Sequence, residues 1–411
     1  MSEREFVIVG GGLAAGTAAS TLREEGFEGH LTLIAAEAHK PYIRPPLSKA
    51  YLASYDDSEL WVQPEDWWHD HDVDVRSGQH ARELDLADRA LVLEGGARVP
   101  FEKLLIATGA TPRTLEIPGA DADGIHYLRS IEDSRAIHEA TAAGDKRVVV
   151  VGSGWIGMEV AATVRGFGNE VTVVSHAQVP LSSALGDELG EVFASLHLDH
   201  GVRLVRGVGV SGLRVQGGRV TGVEYDGGVV DADVVVIGIG AVPLTSLAED
   251  AGLDASTGIL VDAGMRTGAD GVFAVGDAAN PFHPVLGQRL RSEHWANAIG
   301  TGRTAALNMI DRGVDYDDIP YFYTDQFDLG MEFSGYAPLM KDAHVVYRGD
   351  LAGREFVSFW VAPNGAVVAG MNVNVWDVND QVQALIRSGR PVDEARLADP
   401  DVPLGDLAAD A

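Results

Sequence analysis

Cysteine is absent from this chain of 411 residues. That excludes disulfide bridges, thiolate nucleophiles, redox-active cysteine pairs and cysteine-ligated iron–sulfur clusters within it. Positive charge is scarce as well: 31 Lys and Arg stand against 61 Asp and Glu, for a formal net charge of −30. Such a chain repels phosphate backbones and anionic lipid, so neither nucleic acid nor a membrane is an expected partner. No apolar run approaches the roughly 18 residues of a spanning helix. The first strand begins by residue 5, with none of the basic and apolar segments of a secretory leader. A soluble, cytoplasmic protein is expected. No HExxH or comparable ligand spacing occurs. In His69-Asp70-His71-Asp72, adjacent side chains of an extended segment would face opposite ways, so no metal site is expected.

What the chain does have is apolar mass and glycine. Hydrophobic residues make up 46% and charged residues 22%, a globular balance, and the length suggests two or three domains. Glu5-Phe6-Val7-Ile8-Val9 reads as a buried strand, followed by Gly10-Gly11-Gly12 and a helix that opens on Leu13-Ala14-Ala15-Gly16. Gly10 suits a tight turn, and Gly12 lets the main chain approach a pyrophosphate. Small residues, Ala14, Ala15 and Gly16, let the helix pack close to the strand. The helix start then offers N–H groups and the positive end of its dipole to phosphate. Glu37 follows a second strand, Leu31 to Ile34, where a ribose-binding carboxylate belongs. Further on, Val272 to Val275 and Gly276-Asp277 supply another strand ending in an acid. These features together predict a bound dinucleotide.

The pattern recurs. Val148 to Val151 leads into Gly152-Ser153-Gly154-Trp155-Ile156-Gly157-Met158-Glu159, offset by 142 residues (Gly10 to Gly152). One GxGxxG is a weak signal; two in strand–turn–helix context are strong. Val171 to Val174 and Val234 to Ile239 are further strands of this domain, the latter running into Gly240. Lys103 to Ile106 is a strand ending at Ala107-Thr108-Gly109, and the chain then crosses to the second domain near Arg113. The first domain resumes at Leu260 to Asp277 and includes a helix over Trp295 to Met309. From Tyr321 the chain turns to alternating strands, at Ala343 to Arg348, Glu355 to Val361 and Ala366 to Val373. A Pro363-Asn364-Gly365 hairpin turn joins the last two, and an amphipathic helix follows over Asp377 to Ser388. The expectation is an α/β fold with a discontinuous domain (1–113 and 247–320), a second dinucleotide domain (114–246) and a small α+β domain (321–411). The prolines of Lys40-Pro41-Tyr42-Ile43-Arg44-Pro45-Pro46-Leu47-Ser48-Lys49 predict a stiff, extended entry, after which Ser48 or a neighbour opens a helix. This arm is either a solvated surface loop or a support presenting Arg44 and Lys49 to a cofactor.

From residue 5 to about 405 the chain resembles the FAD-containing, pyridine-nucleotide-dependent ferredoxin reductases of oxygenase systems. The resemblance rests on Pro41-Tyr42 with Arg44 to Lys49, Ala107-Thr108-Gly109 with Pro112-Arg113, and the second glycine fingerprint with Glu159. Phe273 to Asp277, Glu293-His294-Trp295, Thr324-Asp325-Gln326 and Asn374 to Asp377 complete it. It implies a glutathione-reductase-like architecture with FAD in the first domain and NADH in the second, NADPH being admissible. Gly10, Gly12, Ala14, Ala15, Glu37, Arg44, Pro45, Ala107, Thr108, Gly109, Arg113, Gly276, Asp277, Glu293, His294 and Trp295 are then cofactor contacts. So are Gly152, Gly154, Trp155, Ile156, Gly157, Ser175 and Gly240. Lys49 becomes the lysine near flavin N5 and Glu159 its partner beside the nicotinamide. Apart from the resemblance, Glu159 could be a carboxylate favoured by the helix dipole, and Asp277 a plain helix cap. His283 and His294 read as packing or hydrogen-bonding residues.

The resemblance implies a reaction in which electrons pass from NADH through FAD to a [2Fe–2S] ferredoxin serving a cytochrome P450 or ring-hydroxylating dioxygenase. Other readings of the same fold are reduction of rubredoxin or monodehydroascorbate, and a redox-sensing binding protein of the apoptosis-inducing-factor kind. Two positions depart from the family pattern. Ser175 stands, before His176, where many relatives carry the glutamate that binds the adenosine ribose, so any NADH preference should be shallow. Tyr323 replaces a frequent tryptophan. An acidic ferredoxin needs a local basic face on a chain of charge −30. Arg289, Arg291 and Arg303, with Tyr323 as a contact aromatic, are the candidates, the alternative being ordinary solvated arginines. No motif specifies an oligomeric state.

Overall fold

The computed structural model describes residues 4–410. The chain groups into two compact units. One comprises Met1–Arg44, Asp57–Thr111 and Val242–Pro320, the other Pro45–Asp56, Pro112–Ala241 and Tyr321–Ala411. This differs from the expected division in two respects. The Pro45–Asp56 arm leaves the first domain, and the C-terminal segment joins the second nucleotide segment in one unit.

In the first unit a parallel sheet runs in the order Val272–Ala274, Lys103–Ile106, Glu5–Val9, His30–Ala35, Val73–Ser77. Both faces are covered, so the central strands are continuous apolar runs: Phe6, Val7, Ile8, Leu104 and Leu105 are all at most 1% exposed. Val9 lies in register with both Ile34 and Ile106, which brings the first glycine turn to the carboxyl edge of the sheet. The helix Leu13–Glu24 packs against the helix Trp295–Met309. Their small residues permit a close approach; a Cβ at Gly302 would stand 2.6 Å from the Ala14 carbonyl oxygen.

The second unit contains a matching parallel sheet, ordered Arg203–Arg206, Glu170–Ser175, Arg147–Val151, Val234–Ile237, Ile125–Tyr127. Val151 pairs with Val174 and Ile237, repeating the register of the first unit. The C-terminal segment is a five-stranded antiparallel sheet, Tyr321–Gln326, Leu329–Gly335, Val367–Val373, Glu355–Val361 and His344–Asp350, with the helix Asn379–Ser388 against it. Asn364 and Gly365 make the predicted hairpin turn, Gly365 at φ +83. One apolar core runs from Val150, Met158 and Phe193 to Phe333, Trp360 and Met371, which is why this sheet does not separate as a unit.

The arm's entry is extended, with Tyr42 bridging to Gly12 and Trp61, and helical turns follow it. Pro45–Ser48 forms a 3-10 turn and Ala50–Ser54 a short helix, both compatible with the fixed φ of proline. Leu52 enters the second unit's core. Ser134 Oγ donates to the Leu47 carbonyl at 2.8 Å, and Thr163 Oγ1 donates to the Ser48 carbonyl at 2.7 Å. Among the described residues no helix is long and apolar enough to cross a membrane.

The helix contact gives a stability test. Gly302→Ala should lower the unfolding free energy by at least about 1–3 kcal/mol, because the neighbour it meets is backbone and cannot swing away. Gly268→Ala, where a Cβ meets nothing within 4 Å, should be near neutral. Denaturant unfolding of both variants checks this, and equal midpoints would refute the close-packed contact.

Candidate functional site

In the first unit the chain turns at Gly10 with φ +134, and a Cβ there would overlap the Ala107 carbonyl oxygen. Only glycine fits. Gly12 is the N-cap of the helix Leu13–Glu24 and supplies no side-chain cap, while a Cβ on it would meet nothing within 4 Å. The first N–H groups of a 12-residue helix have no intrahelical partner, and without a side-chain cap they suit a phosphate. Ala14 and Ala15 are buried in that helix's first turn, and Gly276 lies against Ala14.

Glu37 is engaged on both oxygens. Oε1 accepts from Arg44 Nη2 at 2.7 Å and Oε2 from the Tyr42 hydroxyl, while Arg44 Nη1 donates to that hydroxyl at 2.9 Å. A carboxylate has about four lone-pair sites, so two remain for a ribose. Burial works against the Arg44 charge, but Tyr42, Glu37 and Asp277 more than offset it and raise its pKa. His294, the N-cap of the helix Trp295–Met309, is pushed down to about 4 by burial, with Asp277 opposing. Arg44 and His294 are both half-buried. Asp277 sits in the 3-10 turn Gly276–Ala278, and Trp295 is half-buried. Thr108 and Gly109 hold the returning chain: Thr108 Oγ1 donates to the Leu244 carbonyl at 2.6 Å, and Leu244 N–H to Gly109 at 2.8 Å.

The second unit repeats the turn. Gly152 has φ +105 and abuts the Gly238 carbonyl; Gly157 in turn packs on the Gly152 carbonyl. Gly154 N-caps the helix Trp155–Gly166 without a side chain, again with open space before it. Ile156 is 46% exposed at the helix start, whereas Trp155 packs edge-on against Phe193 and Phe322. Gly240 lies against the Arg113 side chain and accepts a bond from its N–H at 2.9 Å. Ser175 is buried, and its hydroxyl bonds Ser153 Oγ at 2.6 Å and accepts from the Ala177 N–H. It ties down the glycine turn, and the first exposed side chain after it is His176.

The same unit holds a buried charged centre. Glu159, 4% exposed, lies in the helix of the second glycine turn. Lys49 Nζ is 3.1 Å from its Oε2, which also accepts from the Ser48 hydroxyl, and Thr324 Oγ1 donates to Oε1 at 2.6 Å. Pro45 opens the turn that leads to Ser48 and Lys49. The Lys49 ammonium is also 5.8 Å from the Tyr323 ring centre, within cation–π range. Lys49 borders an open groove of about 420 Å³ walled by Ala53, Thr163, Phe167, Asp325 and Phe327. Burial raises the Asp325 carboxyl pKa, as does Glu159, with Lys49 opposing. His197, fully buried, is driven down to about 4 by burial and by His200, against a hydrogen bond from its ring to Gln326. Sequence reasoning missed Ser48 and Thr324 as donors to Glu159. Their positions inside two motifs were the available signal.

Of the arginines considered for a docking face, Arg289 Nη1 donates to the carbonyls of Val261 and Asn280, both at 2.8 Å, and Arg291 is paired with Glu293 at 2.5 Å. Arg303 is exposed and bonds no described residue. Glu293 is correspondingly an ion-pair partner. His71 stacks on Trp67 at 4.3 Å, and among the described residues no group of three or more His, Asp or Glu could hold a metal.

Comparison with known proteins places this geometry. The family model described as pyridine nucleotide-disulphide oxidoreductase matches residues 4–302, and the Reductase C-terminal model matches 321–408. The chain is 36% identical over 405 residues to the anthranilate 1,2-dioxygenase system ferredoxin–NAD(+) reductase component of Burkholderia cepacia, covering 98% of this chain and 99% of that one. Among solved structures it is similar to the ferredoxin reductase for the CYP199A2 system of Rhodopseudomonas palustris. There the TM-score is 0.93 and the identity 32%, over 98% of this chain and 100% of that one. It is also similar to the reductase in a covalent putidaredoxin reductase–putidaredoxin complex, with TM-score 0.94 and 30% identity over 100% and 99% of the two chains.

Two stability predictions follow from the charged groups. Glu159→Ala leaves a Lys49 side chain only 16% exposed without its carboxylate, and should cost about 3 kcal/mol, the low end for breaking a buried pair. A loss below about 1 kcal/mol in denaturant unfolding would mean the pair behaves as a surface bridge. The histidines give a pH dependence. His197 and His294 stay neutral in the folded chain down to about 4, while unfolded histidine takes a proton near 6.5. Stability is therefore fully present above about pH 6.5 and lost as pH falls toward 4. Unfolding midpoints at pH 7, 6 and 5 should decline less steeply in His197→Gln than in wild type; parallel slopes would refute the assignment.

Proposed function

The chain belongs to the pyridine nucleotide-disulphide oxidoreductase family and carries a Reductase C-terminal domain; it is an NAD(P)H-dependent FAD oxidoreductase, and we propose that it is the ferredoxin reductase of an oxygenase system. The reading is carried by two dinucleotide cradles, each a glycine turn before a helix start without a side-chain cap, and a buried pair between Lys49 and Glu159 of the second helix. FAD, when bound, accepts two electrons as hydride from the nicotinamide and releases them singly to a [2Fe–2S] ferredoxin. The fit is specific: the first turn tolerates no side chain at Gly10, and its helix start has no side-chain cap.

Around these cofactors the chain's residues have distinct roles. Gly10, Gly12 and the start of the helix Leu13–Glu24 hold the FAD pyrophosphate, and the open lone pairs of Glu37 receive a ribose. Arg44, Asp277 and the neutral His294 line the same unit, while Gly152, Gly154 and Gly157 hold the nicotinamide dinucleotide. Lys49, ion-paired with Glu159, would offset negative charge on a reduced flavin, and Glu159 would orient the lysine and the carboxamide. The family name notwithstanding, a disulfide has no place in this chemistry, because the chain has no cysteine. NADH is preferred modestly: no carboxylate stands at position 175 to repel a 2′-phosphate and no arginine to pair with one. With Arg289 and Arg291 engaged internally, Arg303 and Tyr323 are the remaining docking candidates.

The purified protein should bind about one FAD per chain, and NADH should bleach it in stopped flow. Cytochrome c reduction should become rapid only when a [2Fe–2S] ferredoxin is added. Lys49→Met should slow flavin reduction on the order of 10²-fold while FAD stays bound. Arg303→Glu should raise the KM for ferredoxin and leave ferricyanide reduction unchanged. A flavin that neither NADH nor NADPH reduces would end the reading.

A further inference from the structure

The Glu159 carboxylate is the end of a longer chain of buried polar groups, all within the second unit. Thr324 Oγ1 donates to Glu159 Oε1 at 2.6 Å, Gln326 Nε2 lies 3.2 Å from Thr324 Oγ1, and Gln326 Oε1 lies 2.9 Å from His197 Nε2. Thr324 is 1% exposed, Gln326 1% and His197 0%.

The direction of every hydrogen bond follows from one charge. The carboxylate beside Lys49 only accepts, so the Thr324 hydroxyl must give it its single proton. Thr324 Oγ1 must then accept from the next residue, which turns the Gln326 amide so that its NH₂ faces Thr324. The amide oxygen is left facing His197, and an oxygen only accepts. His197 is thereby fixed as the Nε2–H tautomer. Its Nδ1 is buried with no partner, a desolvation cost that a residue kept only for packing would avoid. The ring is held by Phe327, whose edge contact is at 5.1 Å, with His200 stacked on the same phenyl at 4.0 Å.

We propose that His197 and Gln326 are positioning residues for the nicotinamide reaction: a relay of fixed polarity, His197 to Gln326 to Thr324, locks Glu159 Oε1 and leaves Oε2 to hold Lys49 and Ser48. This rests on the reading of Glu159 as the nicotinamide-side carboxylate. His197 serves the relay as a neutral donor, a state its burial preserves with a pKa of about 4. Neither residue needs to touch a substrate: an amide turned the wrong way would set its oxygen against the Thr324 hydroxyl lone pairs and disturb the hold on Glu159.

The test uses the FAD-loaded enzyme, with NAD⁺ as the binding probe. His197→Phe keeps the ring volume and removes the donor, whereas His197→Gln places an amide N–H near the Nε2 position. His197→Phe should weaken NAD⁺ binding by calorimetry, and raise the KM for NADH, about threefold to tenfold, the worth of one hydrogen bond. His197→Gln should restore both to within about twofold. If His197→Phe does not fold, Gln326→Met breaks the relay one step later and should give the same loss. Histidine-labelled ¹⁵N NMR of the wild type should report the Nε2–H tautomer for His197. An Nδ1–H tautomer, or NAD⁺ affinity unchanged in the folded variants, would overturn the proposal. A wild-type enzyme indifferent to NADH would instead overturn the parent reading, and the tautomer measurement would still judge the relay by itself.

Discussion

A carboxylate at 4% exposure has to be met by donors, since a lone buried charge costs several kcal/mol. Glu159 is met by three, and they come from stretches far apart in the chain: Ser48 and Lys49 on the proline arm, Thr324 on the first strand of the C-terminal sheet. Satisfying one charge thus requires the arm and the C-terminal sheet to assemble on the helix Trp155–Gly166. The unit boundaries reflect that requirement. Pro45–Asp56 groups with the second unit although its neighbours on both sides belong to the first, and the C-terminal sheet shares one apolar core with the nucleotide segment.

Much of this was legible in the sequence because it rests on local chemistry. A glycine that must sit at φ +134 or +105 at the end of an apolar strand announces itself by residue type alone. Both cradles, the parallel sheets and the helix Trp295–Met309 followed from such signals, and the alternating C-terminal strands from period-two patterning. Of the proline arm, the extended entry and the helix after it were legible, and the 3-10 turn between them was not. Proline fixes φ but leaves ψ free, so the same residues serve an extended segment or the 3-10 turn found at Pro45–Ser48.

Contacts made at long range were not legible. Whether an arginine is a solvated charge or a clamp on two main-chain carbonyls depends on what folds against it, and spacing around Glu293-His294-Trp295 could not separate Arg289 from Arg303. Ser175 occupied a recognisable position, but its bond to Ser153 is visible only in three dimensions. His197 carried no motif at all. Its place depends on a hydrogen bond to a residue 129 positions later in the chain.

The interleaved order of segments also bears on synthesis. The first unit's sheet lacks its edge strand Val272–Ala274 until all of 112–241 has been made, whereas every strand of the second unit's parallel sheet lies inside that insertion. The sheet encoded later is therefore completed first. At ribosomal rates of roughly 5–20 residues per second, Lys103–Ile106 waits on the order of ten seconds with one side unpaired. An apolar edge left open for that long is a template for wrong pairing.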